Sequence, residues 1–563
     1  MKTPSSDSIL TDFIEFLRLD KKDISYLYLF SILSGLIGLS LPLGIQGVIS
    51  IVSLGRLTTS WYILLLIVIL GILLVGILQV IQIRIVEVLQ QRTFSRIAFD
   101  FAERLVRITA SNSYYLPHKA LQFMEVTTIQ KSLSKILLDL SAAILQIFFG
   151  ILLVSLYHPL FAVMGSILLL VTFLILYVAG KKGIASSIIE SKYKYKVVNW
   201  LVEIGRVAQH WKYYKQTDYH LHRLNSYVEK YIEYRNKHFA ILTWQYYSLL
   251  FIKIIFTLLL FAVGGVLVIQ GEISIGEFVG SEIVIVLILN SVEKIILSAE
   301  VVYDMLTAVD KLLDVMHLPM DEQDGKPLDK KPIEIELQKI SLQIADNTIL
   351  QDIDIHIIPQ TKIVLGGKGN SGKSSLCKVM AGIKNANKGR LLYNGIPVKN
   401  VSKKDFFEYA VFIDSKEDVL NATVWDNITI GTDATMEQVL EVIQPLHLLD
   451  NIQQLPDGWD EMLLPAGKNV SESFAFKLII ARALVNKPSL LIIDADVDFL
   501  PMQDAMDVWN AILSLYKGTL IIVSSNRKIA KDADQIILLE TGKVSFDGTY
   551  NQLINTRFTT YFT

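Results

Sequence analysis

Gly367-Lys368-Gly369-Asn370-Ser371-Gly372-Lys373-Ser374 is a glycine-rich octapeptide ending in a lysine and a hydroxyl, and its flanks decide how it is read. Ahead of it Lys362-Ile363-Val364-Leu365, a short apolar β-branched run, predicts a buried strand. Behind it Ser375-Leu376-Cys377-Lys378-Val379-Met380-Ala381 predicts a helix. Strand, loop and helix in that order are the context the G-x-x-x-x-G-K-[ST] pattern needs. Its glycines let backbone N–H groups close around phosphates at the positive end of a helix. Lys373 can reach the β- and γ-phosphates, and Ser374 offers a hydroxyl to Mg²⁺. Gly367 through Ser375 is therefore a candidate site for ATP and Mg²⁺.

The loop lies behind some 300 residues of a different character. At 563 residues, 52% of them hydrophobic, the chain is too long for one soluble core and too apolar for an ordinary soluble enzyme. A membrane protein, in contact with lipid and carrying a soluble domain, fits. A net charge of -2 gives no sign of a nucleic-acid partner. One cysteine, Cys377, excludes an intrachain disulfide framework and suits the cytosol. The stretch 1–22 is polar and mixed in charge, without the pattern of a cleaved signal peptide, so the first apolar segment is expected to stay as an anchor.

Six stretches reach the roughly 20 residues that a spanning helix requires. They lie near 24–52, 60–83, 136–157, 159–179, 240–270 and 276–300, within a membrane domain of 23–316. Short links such as Tyr157-His158-Pro159 and Gly271-Glu272-Ile273-Ser274 alternate with two long ones. The long links carry the basic residues, among them Arg92, Arg96, Arg104, Lys181, Lys194 and Lys215, whereas the short ones hold only Arg56. By the positive-inside rule the long links and both termini are cytoplasmic. Apolar residues recur at three and four along the long links, so the spans are expected to continue into the cytosol as helix. Residues 317–332, polar and with three prolines, read as a linker. From 333 to 563 strands such as Ile333–Leu337, Ile349–Ile357, Leu490–Asp494 and Leu520–Val523 alternate with helical patterns, which predicts an α/β P-loop nucleotide-binding domain.

Further motifs sharpen this. Ile480-Ala481-Arg482-Ala483-Leu484 precedes Pro488 and the strand ending at Asp494; Thr423-Val424-Trp425-Asp426-Asn427-Ile428 and Asp532-Ala533-Asp534-Gln535-Ile536-Ile537 flank it; Gly271–Val279 opens the sixth span. With these runs the chain resembles an ABC exporter half-transporter, an all-α six-helix membrane domain fused to an α/β ABC ATPase domain. Its short N-terminus and span sequences look most like the type I secretion branch, without an N-terminal peptidase domain. The resemblance implies ATP and Mg²⁺ as cofactors, a second ABC subunit as partner and, for that branch, a periplasmic adaptor protein. It places Asp494 in the Mg²⁺ shell with Ser374, and short coupling helices near Tyr114–Phe123 and Val202–Tyr213.

The chain departs from the family at several working positions. Where the family has its general-base Glu, after Asp494, stands Ala495, whose methyl cannot polarise a water. The signature maps to Val470-Ser471-Glu472-Ser473-Phe474, where only Ser471 survives. Glu472 would set a carboxylate near phosphate unless it points away. The switch His is Ser525, and the loop Gln is Asp414, itself a reasonable Mg²⁺ ligand. The helix-turn Asp is Pro501, and Ile344 lies near the place of the adenine-stacking aromatic. The resemblance therefore implies an exporter subunit that holds ATP and hydrolyses it weakly or only with a partner, favouring a heterodimer over a homodimer. Two readings stay beside it: a non-transporting regulatory or scaffold subunit, and an active ATPase in which Asp496, Asp498 or Asp414 supplies the lost function.

Lys253 and Glu293 each lie twenty residues from Ile273, which sets them at equal depth on adjacent antiparallel spans. They are expected to pair, either lining a cavity or snorkelling at the inner interface.

Overall fold

The computed structural model describes residues 18, 20–53, 59–109, 115–213, 218–321, 325–328, 331–345, 347–414, 418–495 and 497–562, in two compact units, Met1–Pro319 and Met320–Thr563. Residues 1–17, Arg56, Tyr114, Lys215, the linker residues 322–324 and 329–330, and Asp496 lie outside the described residues.

Among the described residues the first unit has six helical segments long and apolar enough to cross a membrane: Lys21–Val52, Thr59–Arg107, Leu116–Tyr157, Pro159–Arg206, Tyr219–Ile269 and Ile275–Met316. Large apolar side chains such as Leu66, Ile69, Leu73, Phe173 and Leu258 stand exposed on them. Hydrocarbon can solvate these, and a helix satisfies its own backbone, as a bilayer demands. Thr59–Arg107 runs for 49 residues, and at about 1.5 Å per residue such a helix is more than twice the thickness of a bilayer core. The spans therefore continue as helix into the basic links.

Local chemistry sets the breaks. The first span consists of α1 (Lys21–Gly38) and α2 (Ser40–Ser53), interrupted at Leu39. Pro42 has no N–H with which to continue the helical ladder back to Gly38. Pro159 starts the fourth span, and the His158 ring accepts from Leu160 N at 3.2 Å as its cap. The sixth span opens with a reciprocal box, Glu277 N to Ser274 Oγ and Ser274 N to Glu277 Oε2. Short helices Leu116–Ala120 and Ala208–Tyr213 interrupt the long links where coupling helices are expected.

The fourth and fifth spans run side by side into their extensions, joined by stacked Tyr193 and Tyr234 rings 5.1 Å apart and by Ser186 with His238 at 2.8 Å. The sixth span buries Val284, Ile288, Val292 and Ile296 against the third, fourth and fifth. Lys253 and Glu293 form an ion pair between spans five and six, both side chains about one-third exposed.

The second unit holds two sheets. The larger orders its strands β10-β9-β3-β8-β7-β6: β3 (Lys362–Gly367), β6 (Ala410–Asp414), β7 (Leu490–Asp494), β8 (Thr519–Val523) and β9 (Gln535–Glu540) are parallel, and β10 (Lys543–Gly548) is antiparallel at the edge. A strand covered on both faces is apolar throughout, and all five residues of β7 are buried. The smaller, antiparallel sheet orders β2 (Asn347–Ile357), β1 (Ile335–Ile344), β4 (Lys388–Tyr393) and β5 (Ile396–Pro397). The expected linker is divided between the units: Leu318 is buried in the first core, while Leu328 is buried in the second and Lys326 bridges to Val401.

Neutralising either member of the Lys253–Glu293 pair should strand one charge among apolar helices, at about 2.5–3.5 kcal/mol on insertion scales. Lys253→Met and Glu293→Gln are each expected to lower the melting temperature of the detergent-purified chain. The reversal Lys253→Glu with Glu293→Lys should recover most of the loss; a reversal no better than the sum of the single changes would show that the contact stabilises nothing.

Candidate functional site

Strand β3 delivers the loop. Gly367, at φ +139, has its α-carbon so close to the Leu539 carbonyl that a Cβ would come within 2.4 Å of that oxygen. Gly372, at φ +101, caps α3 (Lys373–Met380, the helix that follows the loop), and a Cβ there would meet Leu350 at 2.9 Å. Asn370 also sits in the left-handed region, at φ +61. Only glycine adopts such angles freely, so the two outer glycines are needed by the backbone itself.

Lys373 Nζ donates back to the carbonyls of Gly367 and Lys368, at 2.8 and 2.9 Å, and so lies across the mouth of the loop. Burial pulls its ammonium below the ordinary lysine value, and the charge of Asp494 opposes that. Ser374 Oγ donates to Asp494 Oδ1 at 3.1 Å. The Ser371 hydroxyl is buried and has no hydrogen-bond partner among the described residues, which is costly unless an acceptor or donor is supplied. A strained glycine cradle, a lysine across it, a serine–aspartate pair at its base and an unpartnered hydroxyl inside fit a triphosphate with Mg²⁺. Of the remaining loop residues, Lys368 and Gly369 lie between these anchors and Ser375 follows on the helix. Cys377, next on that helix, is fully buried, and burial pushes its thiol up.

The altered positions are occupied as follows. Ala495 is 6% exposed and belongs to the hydrophobic core, so its methyl is packed inward where a carboxylate was expected. Asp414 lies opposite Asp494 in the β6–β7 register and pairs with Lys378 at 2.9 Å. Serving Mg²⁺ would require that pair to open. Ser525 faces Asp498 instead of an open site. Its N–H and hydroxyl donate to Asp498 Oδ2 at 2.5 and 2.8 Å, and Ser524 Oγ donates to Oδ1 at 2.6 Å. Asp498 is thus tied down by three bonds. Ile344 ends β1, half-buried, and Pro501 stands ahead of the helix Met502–Leu515.

Ser471 caps the helix Glu472–Val485, accepting from Phe474 N at 3.2 Å. Glu472 is exposed on its first turn, where the helix dipole favours a carboxylate. Ser473 turns toward a cluster the sequence reading missed: its Oγ donates to Asp504 at 2.6 Å, and buried Lys477 bridges Asp504 at 2.6 Å and Asp507 at 3.3 Å. The four-residue spacing of Ser473 and Lys477 was visible, but nothing local linked them to residues some thirty positions on. The quoted motifs also find partners. Arg482 donates to the Asn427 carbonyl and to its Oδ1, at 2.8 and 2.9 Å, and the Asn427 side chain in turn bonds Leu420, Ala422 and Thr423. Asp534 accepts from Lys362 N at 2.8 Å and Asp532 from Trp509 Nε1 at 3.0 Å.

Two family models match the chain: ABC transporter over residues 350–496 and ABC transporter transmembrane region over 24–292. The chain is similar to the lactococcin-G-processing and transport ATP-binding protein LagD of Lactococcus lactis subsp. lactis, 25% identical over 308 residues, covering 54% of this chain and 44% of that protein. It is similar to the alpha-hemolysin translocation ATP-binding protein HlyB of Escherichia coli O157:H7, 27% identical over 304 residues, 53% of this chain and 43% of that one. The ATP-dependent lipid A-core flippase of Chromobacterium violaceum is 26% identical over 254 residues, 44% of each. The chain spans about half the length of the curated relatives it matches. Its fold is like that of a bacterial Atm1-family ABC exporter with ATP bound, with a TM-score of 0.85 at 16% identity over 96% of this chain and 97% of that one.

Replacing Lys477 by Met would leave Asp504 and Asp507 facing each other without their cation, a loss of about 3 kcal/mol for a broken buried pair. Amide hydrogen exchange in Glu472–Val485 should then speed up by about a hundredfold. The Lys477 bond, with that of Ser473, holds the Asp504 carboxyl below its ordinary range. Its contribution is therefore present above the normal carboxylate pKa and is lost as pH falls through the depressed one. In Lys477→Met this acid-dependent loss should shrink to the part that the Ser473 bond still supplies.

Proposed function

With an ABC transporter membrane region ahead of an ABC ATPase domain, the chain is a half-transporter of ABC exporter architecture, a multi-pass protein of the inner (plasma) membrane with its nucleotide domain in the cytoplasm, and we propose that it acts as an ATP-binding exporter subunit that hydrolyses weakly unless joined to an intact partner. The observation that carries this is a contrast within a few residues: the loop and the Ser374–Asp494 pair are complete, while the adjoining Ala495 is a core methyl.

The residues divide the work accordingly. Backbone N–H groups of Gly372, Lys373 and Ser374, at the start of a helix, bind negative charge, and Lys373 moves from the loop carbonyls to neutralise more of it. Ser374 and Asp494 would hold Mg²⁺, which, with ATP bound, supplies the charge stabilisation for phosphoryl transfer. No free general base stands beside Asp494 among the described side chains: Ala495 is apolar, Asp414 is paired with Lys378, and Asp498 is held by Ser524 and Ser525. Binding can therefore drive conformational change while turnover stays slow.

Dimerisation with a second ABC subunit follows from the architecture, and a heterodimer is favoured because two copies of this chain would lack a base at both shared sites. In such a pair this loop would clamp nucleotide against the partner's signature, and the partner's catalytic set would meet Ser471, Glu472 and Ser473. The similarity to LagD and HlyB supports a place near the type I secretion branch; a periplasmic adaptor as a further partner is part of that reading.

Steady-state hydrolysis by the purified chain is expected to fall well below the roughly 1–10 per second of a typical enzyme. Equilibrium binding of Mg-ATP should be retained, and it should weaken at least tenfold in Lys373→Ala. Turnover on the ordinary scale, or unchanged binding in that variant, would overturn the proposal.

A further inference from the structure

In the nucleotide domain a cavity of about 200 Å³ opens between the end of α3, strand β4 and the turn Val398–Asn400. Three cations line it, Lys384, Arg390 and Lys399, and no acidic residue does. Lys384 is half-buried and the other two are exposed, so a solute can reach all three. None of them has an ion-pair partner among the described residues. The backbone holds these charges together. Lys384 N donates to the Lys378 carbonyl at 3.0 Å, which turns the chain back after the helix, and Lys403 Nζ donates to the Gly382 carbonyl at 2.6 Å. Arg390 lies opposite Gln338 in the β1–β4 register, and Gly389 beside it, at φ +91, packs so tightly that a Cβ would come within 2.4 Å of the Lys339 carbonyl oxygen. Asn387 Oδ1 accepts from Gln343 N at 2.6 Å, so the other end of that amide is left to donate.

Like charges gathered round one cavity repel each other, and the effect is visible at Lys384: burial, and after it the charge of Lys378, pulls its ammonium below the ordinary lysine value. An anion would relieve that repulsion, whereas a cation would add to it and a neutral group would leave it standing. The planar fork of an arginine bonds two oxygens of one phosphate, and hydrogen bonds between charged groups are the strong ones. Three cations match a doubly charged phosphate better than the single charge of a carboxylate. Pro397 and Val398 add an apolar wall. Since roughly 150 Å³ holds a benzene, the space suits a phosphoryl group with a small body attached.

We propose that this cavity binds a phosphomonoester dianion, whose oxygens accept from Lys384, Arg390 and Lys399 while its organic part lies against Pro397 and Val398. The ester is either a soluble metabolite or the headgroup of a lipid. The cavity shares no residue with the loop Gly367–Ser375, so the site is independent of the ATP reading. Binding is read at the lining lysines themselves, and failure of the loop to hold nucleotide would not alter the result.

Acetylation of the purified full chain in dodecyl maltoside, followed lysine by lysine with mass spectrometry, is the direct test, with phenyl phosphate as the probe and benzyl alcohol as its neutral counterpart. At about ten times the half-protecting concentration of phenyl phosphate, Lys384 and Lys399 should react about tenfold more slowly, since mass action leaves only that fraction of sites empty. Lys388, exposed at the start of β4 and outside the lining, should react at an unchanged rate, and benzyl alcohol should protect neither lining lysine. Arg390→Gln, which keeps both reporter lysines, should raise the half-protecting concentration about tenfold, the weight of one hydrogen bond to a charged group. Unchanged rates at Lys384 and Lys399 up to about 10 mM phenyl phosphate, beyond the weak end of specific binding, overturn the proposal without recourse to any variant. So does equal slowing at Lys388, equal protection by benzyl alcohol, or protection unaffected by Arg390→Gln. Dihexanoylphosphatidic acid run beside phenyl phosphate separates the two sources: stronger protection by the lipid assigns a headgroup, and stronger protection by phenyl phosphate a soluble ester.

Discussion

A serine hydroxyl and a carboxylate 120 positions apart, Ser374 and Asp494, meet at 3.1 Å, and the nucleotide domain is built so that they can. Strand β8 lies between β3 and β7 and sets their relative heights: Leu365 aligns with Val523, and Ile493 with Ile522. With all three strands parallel, their C-terminal ends finish on one edge, where open α/β sheets place their ligands. The same edge receives Asp414 beside Asp494, and the Asp534 bonds to Lys362 hold the start of β3 against β9. Altering the register by one residue would move the carboxylate to the opposite face of the sheet.

The positions read from the sequence as departing from the family are not holes. Ala495 joins the core, Asp414 holds Lys378, Ser525 and Ser524 hold Asp498, and Ser473 joins Lys477, Asp504 and Asp507. Each of these four replacements has a structural partner. A domain retained only as a relic would have no physical reason to keep the loop glycines strained and the Ser374–Asp494 pair intact while these substitutions were accommodated around them.

The membrane spans, the parallel strands and the phosphate loop could be read because each follows from local chemistry: unbroken apolar runs, β-branched stretches, and glycines at fixed spacing. The pairing of Lys253 with Glu293 was also readable, since both count back equally to one tight turn and antiparallel helices preserve that count. Long-range partners were not. The Lys378–Asp414 pair depends on which strand lies beside β7, and Lys477 depends on how one helix crosses another. The inward role of Ser473 was hidden by its place in a run read for its likeness to a nucleotide-contacting loop. The break at Leu39 could have been anticipated from Pro42, but it lies within a stretch apolar enough to read as one continuous span.

Cys377 is the chain's one thiol, and it is sealed inside the helix that follows the phosphate loop. Its burial and its raised pKa keep it as an unreactive thiol, sheltered from maleimides and oxidants. The native protein is therefore already a silent background for site-directed labelling: a cysteine placed at any exposed position would be the single reactive handle. Distances between two such probes, across a dimer or along a span, could be followed without disturbing the native sequence elsewhere.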